Sequence, residues 1–451
     1  MSWLLAGSIP LIVGLFWPIY SLNPDSSSYI LRPPVFAAAM LLALLWSHAL
    51  ITAAEVRMSA YMVTMCVTLL IPSMASTNPS RALTDLVKLT MLCIVALAVS
   101  RALRDPVTAK VFALALIGIS ILCAFFILVS YVQYKGVVLP TYKSAREFKG
   151  MAVKHAIPLN AVAFTSVFSY IMGMCVLRAN FLLGSLGFFL LVVTTVFTGS
   201  RAPVGVLVLA VFVLLLMNAW RGRKLWVRAI GYAMAVAIFA ALFLVLFRVP
   251  FKRMTEITEG RWDLWSVAVA KFTESPLIGY GFESWRDDLV SRLPGEYQLT
   301  SNIASNIAGG YHNEYLTMLA EQGLIGSIPV IAFFMFLLSL CWKLAFRQWH
   351  TWHRGQWALF GCLFLMVRGN VEMPGLFGYG QEPSDFLAWL FVALTLSRFS
   401  IEEDWLRDNA LVPVPRRAGR LRPVNQWAKN CTSSSQTFPA TAPTENSSLP
   451  S

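Results

Sequence analysis

A series of long apolar segments constrains the fold of this chain more than any other feature of its sequence. The segments are mostly 16–25 residues long, and about twelve of them recur along the 451 residues. A helix needs about 20 predominantly apolar residues to cross the roughly 30 Å of hydrocarbon in a bilayer. The strands of a membrane barrel would instead show alternating segments of about ten residues. Only 13% of the residues are charged, about half the share in a soluble domain. The sequence therefore predicts an all-α polytopic membrane protein.

The predicted spans form a transmembrane domain over residues 1–399 that is followed by a tail over residues 400–451. The tail carries a cluster of four arginines, Arg416, Arg417, Arg420 and Arg422, and a Ser/Thr/Pro-rich end without apolar periodicity, so we expect it to be disordered and basic. The spans lie near residues 3–20, 35–54, 59–74, 83–99, 111–133, 158–177, 180–197, 203–219, 229–248, 324–345, 356–370 and 384–399.

The distribution of basic residues predicts the orientation. A cytoplasmic N-terminus puts three basic clusters inside, as the positive-inside rule requires: Arg101/Arg104/Lys110, Arg221/Arg223/Lys224/Arg228 and Lys343/Arg347/Arg354. The large loop at about 249–323, where acidic residues outnumber basic ones, then lies outside, and both termini are cytoplasmic. Because the net charge of +13 is divided among these clusters, no nucleic-acid partner is indicated.

One predicted outer loop departs from this rule. Residues 135–157 carry Lys143, Arg146, Lys149 and Lys154 against a single acidic residue, Glu147. These charges are either tolerated on the surface or form a patch that attracts anionic lipid or phosphorylated sugar. The sequence leaves both interpretations open.

Arg201 interrupts the apolar pattern within Thr198-Gly199-Ser200-Arg201-Ala202-Pro203. The predicted topology places it at the outer face, where an arginine is costly unless it faces a wet cavity or an anion. Snorkelling to the interface is the alternative, but it needs no break in the backbone, and Gly199 and Pro203 indicate one. A helix that begins at Pro203 would also direct its N-terminal amides towards an anion.

Arg261 precedes a predicted amphipathic helix in the outer loop. Apolar residues at 262, 265, 269 and 272 recur at helical spacing, so we expect the helix to lie along the outer membrane surface. Arg261 then belongs either to its solvated rim or to an anion-binding site. The segment 275–281 ends the helix and turns the chain, and its Gly279-Tyr280-Gly281 does not fit a dinucleotide-binding loop.

His312 begins a predicted short helix that follows Gly309-Gly310 and ends at Gly323. A histidine can accept a proton from a hydroxyl group near neutral pH, although a lone histidine is more often structural. Asn313 and Glu314 follow at once in the sequence, where they could orient His312 or bind sugar hydroxyls.

Charged residues elsewhere are weaker candidates. Asp85 and Lys88 lie three residues apart within the fourth predicted span and are expected to neutralise one another. His350 and His353 have no further ligands nearby, so the sequence indicates no metal site and we expect no cofactor. Four residues flank the predicted outer ends of the last two spans and could line the same cavity: Arg368, Glu372, Glu382 and Asp385.

Three motifs together resemble the O-antigen ligase/polymerase superfamily of bacterial inner-membrane glycosyltransferases: Thr198–Pro203, Gly260–Gly281 and His312–Gly326. Their order, their spacing and their predicted positions at outer helix ends are more specific than any one motif. The resemblance covers about 130 residues, and the rest of the chain is similar only in its helical layout.

The ligase branch of this superfamily implies a GT-C-like bundle with one large periplasmic helical loop in the cell inner membrane. Such an enzyme is expected to transfer a polysaccharide from undecaprenyl diphosphate to a sugar hydroxyl of lipid A–core in lipopolysaccharide biosynthesis, without a metal. The resemblance assigns diphosphate binding to Arg201 and Arg261 and the role of general base to His312. Because no nucleophilic carboxylate is required, we expect direct displacement with inversion at the anomeric carbon.

Three other functions are compatible with parts of the pattern. A polymerase of O-antigen or exopolysaccharide would use the same reactive groups and differ only in its acceptor groove. A protein O-oligosaccharyltransferase tends to carry a larger outer C-terminal portion than residues 371–383 supply. A transporter would favour several ionisable residues at mid-membrane and helices broken at matching places in two halves. Only Asp85 and Lys88 lie deep and no repeat is visible, so the sequence favours the ligase.

Overall fold

The structure is a computed structural model of the chain. It describes residues 51–76, 78–136, 159–177, 264–281, 313–347, 352–369 and 383–411, together with residues 4, 7–9, 187, 190, 191, 194, 197, 198, 229, 233 and 311. Its continuous ranges contain helices and turns and no strand. The all-helical expectation is therefore confirmed for the described part of the chain.

The continuous ranges form eight helices. In chain order these are α1 (Ala53–Met74), α2 (Pro79–Ala102), α3 (Pro106–Lys135), α4 (Leu159–Val176), α5 (264–274), α6 (Glu314–Arg347), α7 (Trp352–Gly369) and α8 (Pro383–Leu411).

Four of these helices, α1, α2, α3 and α6, are long and apolar enough to cross a membrane. A shorter apolar stretch lies within α4. The chain is therefore an integral, polytopic membrane protein. The predicted spans near 59–74, 83–99, 111–133, 158–177, 324–345, 356–370 and 384–399 coincide with described helices. Those near 3–20, 35–54, 180–197, 203–219 and 229–248 lie largely outside the described residues, so the total of about twelve stays a prediction.

Capping residues set where the first helices begin. Thr52 and Glu55 form a reciprocal capping box at the start of α1, several residues before the predicted span near 59–74. Asn78 and Asp105 cap α2 and α3, each followed by a proline in the first turn. Hydropathy identifies only the apolar centre of such a helix, and the polar first turns continue beyond it.

One end of the bundle, which we call the basic end, is defined by Arg101, Arg104 and Lys343. There Arg104 Nη2 lies 2.6 Å from Glu55 Oε2, joining the end of α2 to the start of α1. Thr52 Oγ1 and Ser400 Oγ are 2.9 Å apart, which adds α8. Lys343, near the end of α6, lies 5.8 Å above the Phe399 ring. Two of the basic clusters predicted to share one side of the membrane therefore have members at the same end.

The opposite end, which we call the loop end, is formed by residues 264–281 and by the start of α6. Backbone N–H groups of Tyr280 and Gly281 donate to carbonyl oxygens near the Gly323 break in α6. A Cβ atom on Gly281 would lie 2.9 Å from Pro72 O, so this loop also rests on the last turn of α1. The antiparallel course of α1 and α2 thus separates the loop end from the basic end.

Aromatic rings pack α4 against α7. Phe164 and Phe168 of α4 stack on Phe364 of α7, with ring centroids 5.6 and 5.9 Å apart. Stacked rings add to the stabilisation from apolar burial. This packing fixes the end of α7 beside the start of α4 at the loop end.

The chain divides into two compact units, Met1–Asp404 and Trp405–Ser451. The second unit begins within α8, whose described residues end at Leu411. Since most of the tail lies outside the described residues, the predicted boundary between residues 399 and 400 stays a prediction.

Candidate active site

Three of the five predicted site residues, Arg201, Arg261 and His312, lie outside the described residues. The structure therefore does not test the roles assigned to them. It does describe Asn313 and Glu314, the residue before His312, and a helix whose described residues begin three residues after Arg261. These neighbours define the surroundings of the candidate site.

Helix α5 and the first turns of α6 lie side by side with the same direction. Near the first described residue of α5, the Trp265 indole N–H donates to the Tyr311 carbonyl oxygen at 3.1 Å, across 46 residues of sequence. Beyond this contact, a small apolar core joins Leu264 and Ala268 to Tyr311 and Ala320. In the sequence, Arg261 lies four residues before Trp265, and His312 directly follows Tyr311.

The two helices are also joined where they end. Gly323 has φ 58° and ψ −165° and divides α6 into an N-terminal arm, residues 314–322, and a longer membrane helix. Tyr280 N–H donates to Ala320 O at 3.0 Å, and Gly281 N–H donates to Glu321 O at 2.7 Å. The prediction that Gly323 ends a short helix is confirmed.

Asn313 is the N-cap of this arm. Its side-chain oxygen accepts hydrogen bonds from the backbone N–H groups of Tyr315 and Leu316 at 3.1 and 3.0 Å. The Thr317 hydroxyl donates a hydrogen bond to the Asn313 carbonyl oxygen at 2.8 Å. These bonds satisfy donors that a helix start otherwise leaves without a partner. The Asn313 side chain thus fixes the backbone that directly follows His312.

Glu314 brings the C-terminal end of α7 to the site. It is 6% exposed, and a Cβ atom on Gly369 would lie only 2.9 Å from its Oε2 atom. The next residue, Tyr315, donates its hydroxyl hydrogen to Met366 O at 2.9 Å. Glu314 is therefore a carboxylate enclosed between α6 and the last turn of α7, close in the chain to His312.

Arg368 lies in the same turn of α7 and is also buried. Its guanidinium carbon is 3.5 Å from the centroid of the Phe164 ring, at the start of α4. Cation–π contacts of this kind strengthen when they are shielded from water. Of the four residues expected to flank the last two spans, Arg368 and Asp385 are buried, and Glu372 and Glu382 lie outside the described residues.

Lys271 was not identified from the sequence. It is 1% exposed on α5, and its ammonium nitrogen lies 4.9 Å from the centroid of the Tyr280 ring. The Tyr280 hydroxyl in turn donates to Glu274. The face of α5 that packs on the protein is Leu264, Ala268 and Lys271, whereas Val269, placed on the apolar face by the sequence, is 48% exposed. The spacing of 264, 268 and 271 is helical and was the available signal.

Two further expectations concern charge and metal. The predicted Asp85–Lys88 ion pair within α2 is confirmed. Among the described residues, no group of three or more His, Cys, Asp or Glu is placed to hold a metal ion. His312 is not among them, so the expectation of a metal-independent site stays a prediction.

The motif-bearing part of the chain matches a known family. Residues 186–331 match the family model described as O-antigen ligase. This range contains all five predicted site residues, together with α5 and the break in α6. Among curated proteins, none matches the chain. The match supports the O-antigen ligase superfamily for this part of the chain.

Proposed function

We propose that the protein is an O-antigen ligase. It transfers a polysaccharide from undecaprenyl diphosphate to a sugar hydroxyl of lipid A–core, at the periplasmic face of the bacterial inner membrane. His312 is the general base that accepts the hydroxyl proton, and Arg201 and Arg261 bind the diphosphate. The family match supports the reaction class, and the contact between Trp265 and Tyr311 supports the shared site.

That contact is the main structural support for this proposal. The Trp265 side chain, four residues after Arg261, meets the carbonyl of the residue before His312 at 3.1 Å. Four residues of chain span at most about 14 Å. This length of chain would allow Arg261 and His312 to reach one site.

The start of the α6 arm favours an anionic donor at this place. The N-terminal end of a helix carries a partial positive charge of about half an elementary charge. The α6 arm has such an end at the Asn313 cap, which follows His312 directly in the sequence. A diphosphate leaving group needs charge stabilisation more than it needs a proton, and arginine supplies this by bidentate pairing with phosphate oxygens.

Asn313 and Glu314 have different roles in this proposal. The Asn313 side-chain oxygen is engaged in the helix cap, so Asn313 orients the segment that carries His312. Glu314 is a buried carboxylate in the first turn of the same arm. A carboxylate there can accept hydrogen bonds from sugar hydroxyls or orient the imidazolium that forms when His312 takes up a proton.

The experiment uses purified protein in lipid nanodiscs with undecaprenyl-diphosphate-linked polymer, lipid A–core acceptor and a chelator. Wild-type protein should form the joined product. His312→Ala should lower the transfer rate by about 10²–10⁴-fold, which is the usual contribution of one positioned base. Arg201→Lys should also impair transfer, because a point charge cannot reproduce the planar guanidinium. His353→Ala is the matched control, since His353 lies in the first turn of α7, away from Gly369, and it should transfer at the wild-type rate.

The choice of acceptor separates ligase from polymerase. A ligase joins the polymer to lipid A–core, whereas a polymerase joins one lipid-linked repeat unit to another in the absence of that acceptor. A deletion strain gives the same distinction, since loss of a ligase leaves long chains on the carrier lipid. Full activity of His312→Ala would remove the general-base assignment, and complete loss of transfer in the chelator would contradict metal independence.

A further inference from the structure

The loop 276–281 and the break in α6 are joined by backbone hydrogen bonds in both directions. In one direction, Tyr280 and Gly281 donate to Ala320 O and Glu321 O, in the last turn of the α6 arm. In the other, Leu324 N–H donates to Pro276 O at 2.8 Å and Ile325 N–H donates to Leu277 O at 3.0 Å. We call this four-bond contact between residues 276–281 and 320–325 the glycine junction.

The glycine junction replaces the bonds that a broken helix loses. Carbonyl groups at the end of one helix and N–H groups at the start of the next have no partner within their own helices. Leaving such a group buried and unpaired costs about 1–3 kcal/mol. Because the loop supplies two donors and two acceptors, the break at Gly323 is a stable feature of the fold.

Only glycine fits at the centre of this junction. Gly279 has φ 73° and Gly323 has φ 58°, in the left-handed region that side chains with a Cβ atom disfavour. A Cβ atom on Gly323 would lie 2.5 Å from Gly279 N, and a Cβ atom on Gly279 would lie 2.6 Å from Gly323 N. These neighbours are backbone atoms, so they cannot turn aside as a flexible side chain would.

The junction is also fixed to the membrane helices. The loop rests on the last turn of α1, where a Cβ atom on Gly281 would lie 2.9 Å from Pro72 O. Across the break, the Ser327 hydroxyl donates to Met318 O at 3.2 Å. The Ser327 hydrogen bond therefore joins the α6 arm to the membrane helix that follows Gly323.

Helix α5 and the α6 arm are thus tied at two places. The junction joins their C-terminal ends, and the Trp265–Tyr311 hydrogen bond joins α5 to the chain just before the α6 arm. The apolar core of Leu264, Ala268, Tyr311 and Ala320 fills the space between them. A shift at the junction would therefore change how the two helices lie against each other.

We propose that Gly279 and Gly323 are positioning residues for the transfer reaction. The glycine junction sets the separation between the segment that carries Arg261, before α5, and the segment that carries His312, before the α6 arm. This inference rests on the proposed function. It adds that contacts at the C-terminal ends of α5 and the α6 arm control the alignment of the donor diphosphate with the base.

The test compares Gly279→Ala and Gly323→Ala with Gly136→Ala in nanodiscs. Gly136 has φ 74°, almost the same as Gly279, but a Cβ atom there has no neighbour within 4 Å. All three variants therefore carry a left-handed alanine, and only the first two also force a Cβ atom into the junction. The comparison separates backbone strain from displacement of the junction.

Two quantities are measured. Hydrogen–deuterium exchange reports the four junction amides, those of Tyr280, Gly281, Leu324 and Ile325, without substrate. The transfer rate is divided by the number of protein molecules that bind the lipid-linked donor. Unfolded protein, which binds no donor, is thereby excluded from the rate. We expect faster exchange at these amides and a fall in kcat of about 10²-fold, as for a misplacement of about 1 Å. The KM for the donor should change little, because the base and not the binding site is misplaced. Gly136→Ala should match wild type in both.

Three results would overturn the inference. Unchanged exchange in Gly279→Ala and Gly323→Ala would show that the junction tolerates a side chain. Faster exchange with a kcat equal to that of Gly136→Ala would show that the junction has no positioning role. Absence of transfer by wild-type protein would end both proposals, but the exchange experiment needs no substrate and would still report the junction. The two failures are therefore distinguishable.

Discussion

At the scale of single residues, two side chains near the candidate site form hydrogen bonds with the backbone. The Asn313 side-chain oxygen accepts two backbone N–H groups, and the Trp265 indole donates to a backbone carbonyl. Any contact of the Asn313 side chain with a sugar would therefore come from its amide nitrogen, since its oxygen already accepts two hydrogen bonds. Such bonds fix the backbone at Tyr311 and Asn313, the neighbours of His312, as the proposed general base would require.

Asp105 offers a pH-dependent test at this scale. It caps α3 outside the membrane-spanning segments, and its Oδ2 accepts from Thr108 N at 2.7 Å. Burial, the largest single cause, raises the pKa of Asp105, but hydrogen bonds from the Thr108 side chain and from the Thr108 and Val107 N–H groups together lower it below the ordinary 3.8. Since the folded pKa is depressed, the stabilisation is fully present above pH 3.8 and is lost as the pH falls through the folded pKa.

The measurement is the melting temperature of purified protein as the pH is lowered from above 3.8. Asp105→Asn is the matched control, because asparagine is an equally good N-cap that does not titrate. Wild-type protein should lose stability relative to this variant as the pH falls. Equal loss in both proteins would show that the Asp105 carboxylate does not contribute.

At the scale of helices, a buried charge cluster joins three elements at the basic end. Glu55, which is 1% exposed, lies 2.6 Å from Arg104 Nη2 and 3.7 Å from Arg101 Nε, so α1 is bonded to α2. Thr52 extends the cluster to Ser400 of α8. Removing the carboxylate would leave two cations in a partly buried place without their counter-charge.

We expect Glu55→Gln to lower the free energy of unfolding by about 3 kcal/mol. This is the lower end of the range for a broken buried pair, because the two arginine side chains are 14% and 26% exposed. The check is thermal unfolding in detergent, monitored through the reaction of a thiol-specific dye with the buried cysteines as they become exposed. Arg57→Gln, at an exposed position two residues further along α1, should change the free energy by less than about 0.5 kcal/mol. Equal effects of the two substitutions would contradict the role of the cluster.

At the scale of the whole molecule, the described helices have two chemically different ends. Arg101, Arg104 and Lys343 lie at the basic end, and α5 and the α6 arm lie at the loop end. Cytoplasmic loops of membrane proteins carry an excess of lysine and arginine. We therefore propose that the basic end faces the cytoplasm and that the loop end, with the candidate site, faces the periplasm.

Single cysteines in a background without the seven native ones test this orientation. Lys110→Cys and Thr273→Cys use exposed positions in α3 and α5, at opposite ends of the bundle. A membrane-impermeant maleimide should label Thr273→Cys in intact spheroplasts and Lys110→Cys only in inside-out vesicles. The reverse pattern would place the candidate site in the cytoplasm and would contradict a periplasmic transfer reaction.

The sequence by itself determined the features that short windows of residues encode. Apolar runs long enough to cross a bilayer identified the helices, and the Gly323 break followed from local backbone preference, because both depend on neighbours in the chain. Only the tertiary structure decided that Trp265 bonds to Tyr311 and that Gly279 meets Gly323. These contacts join residues far apart in the sequence. Their existence depends on how the helices pack, and no local pattern specifies it.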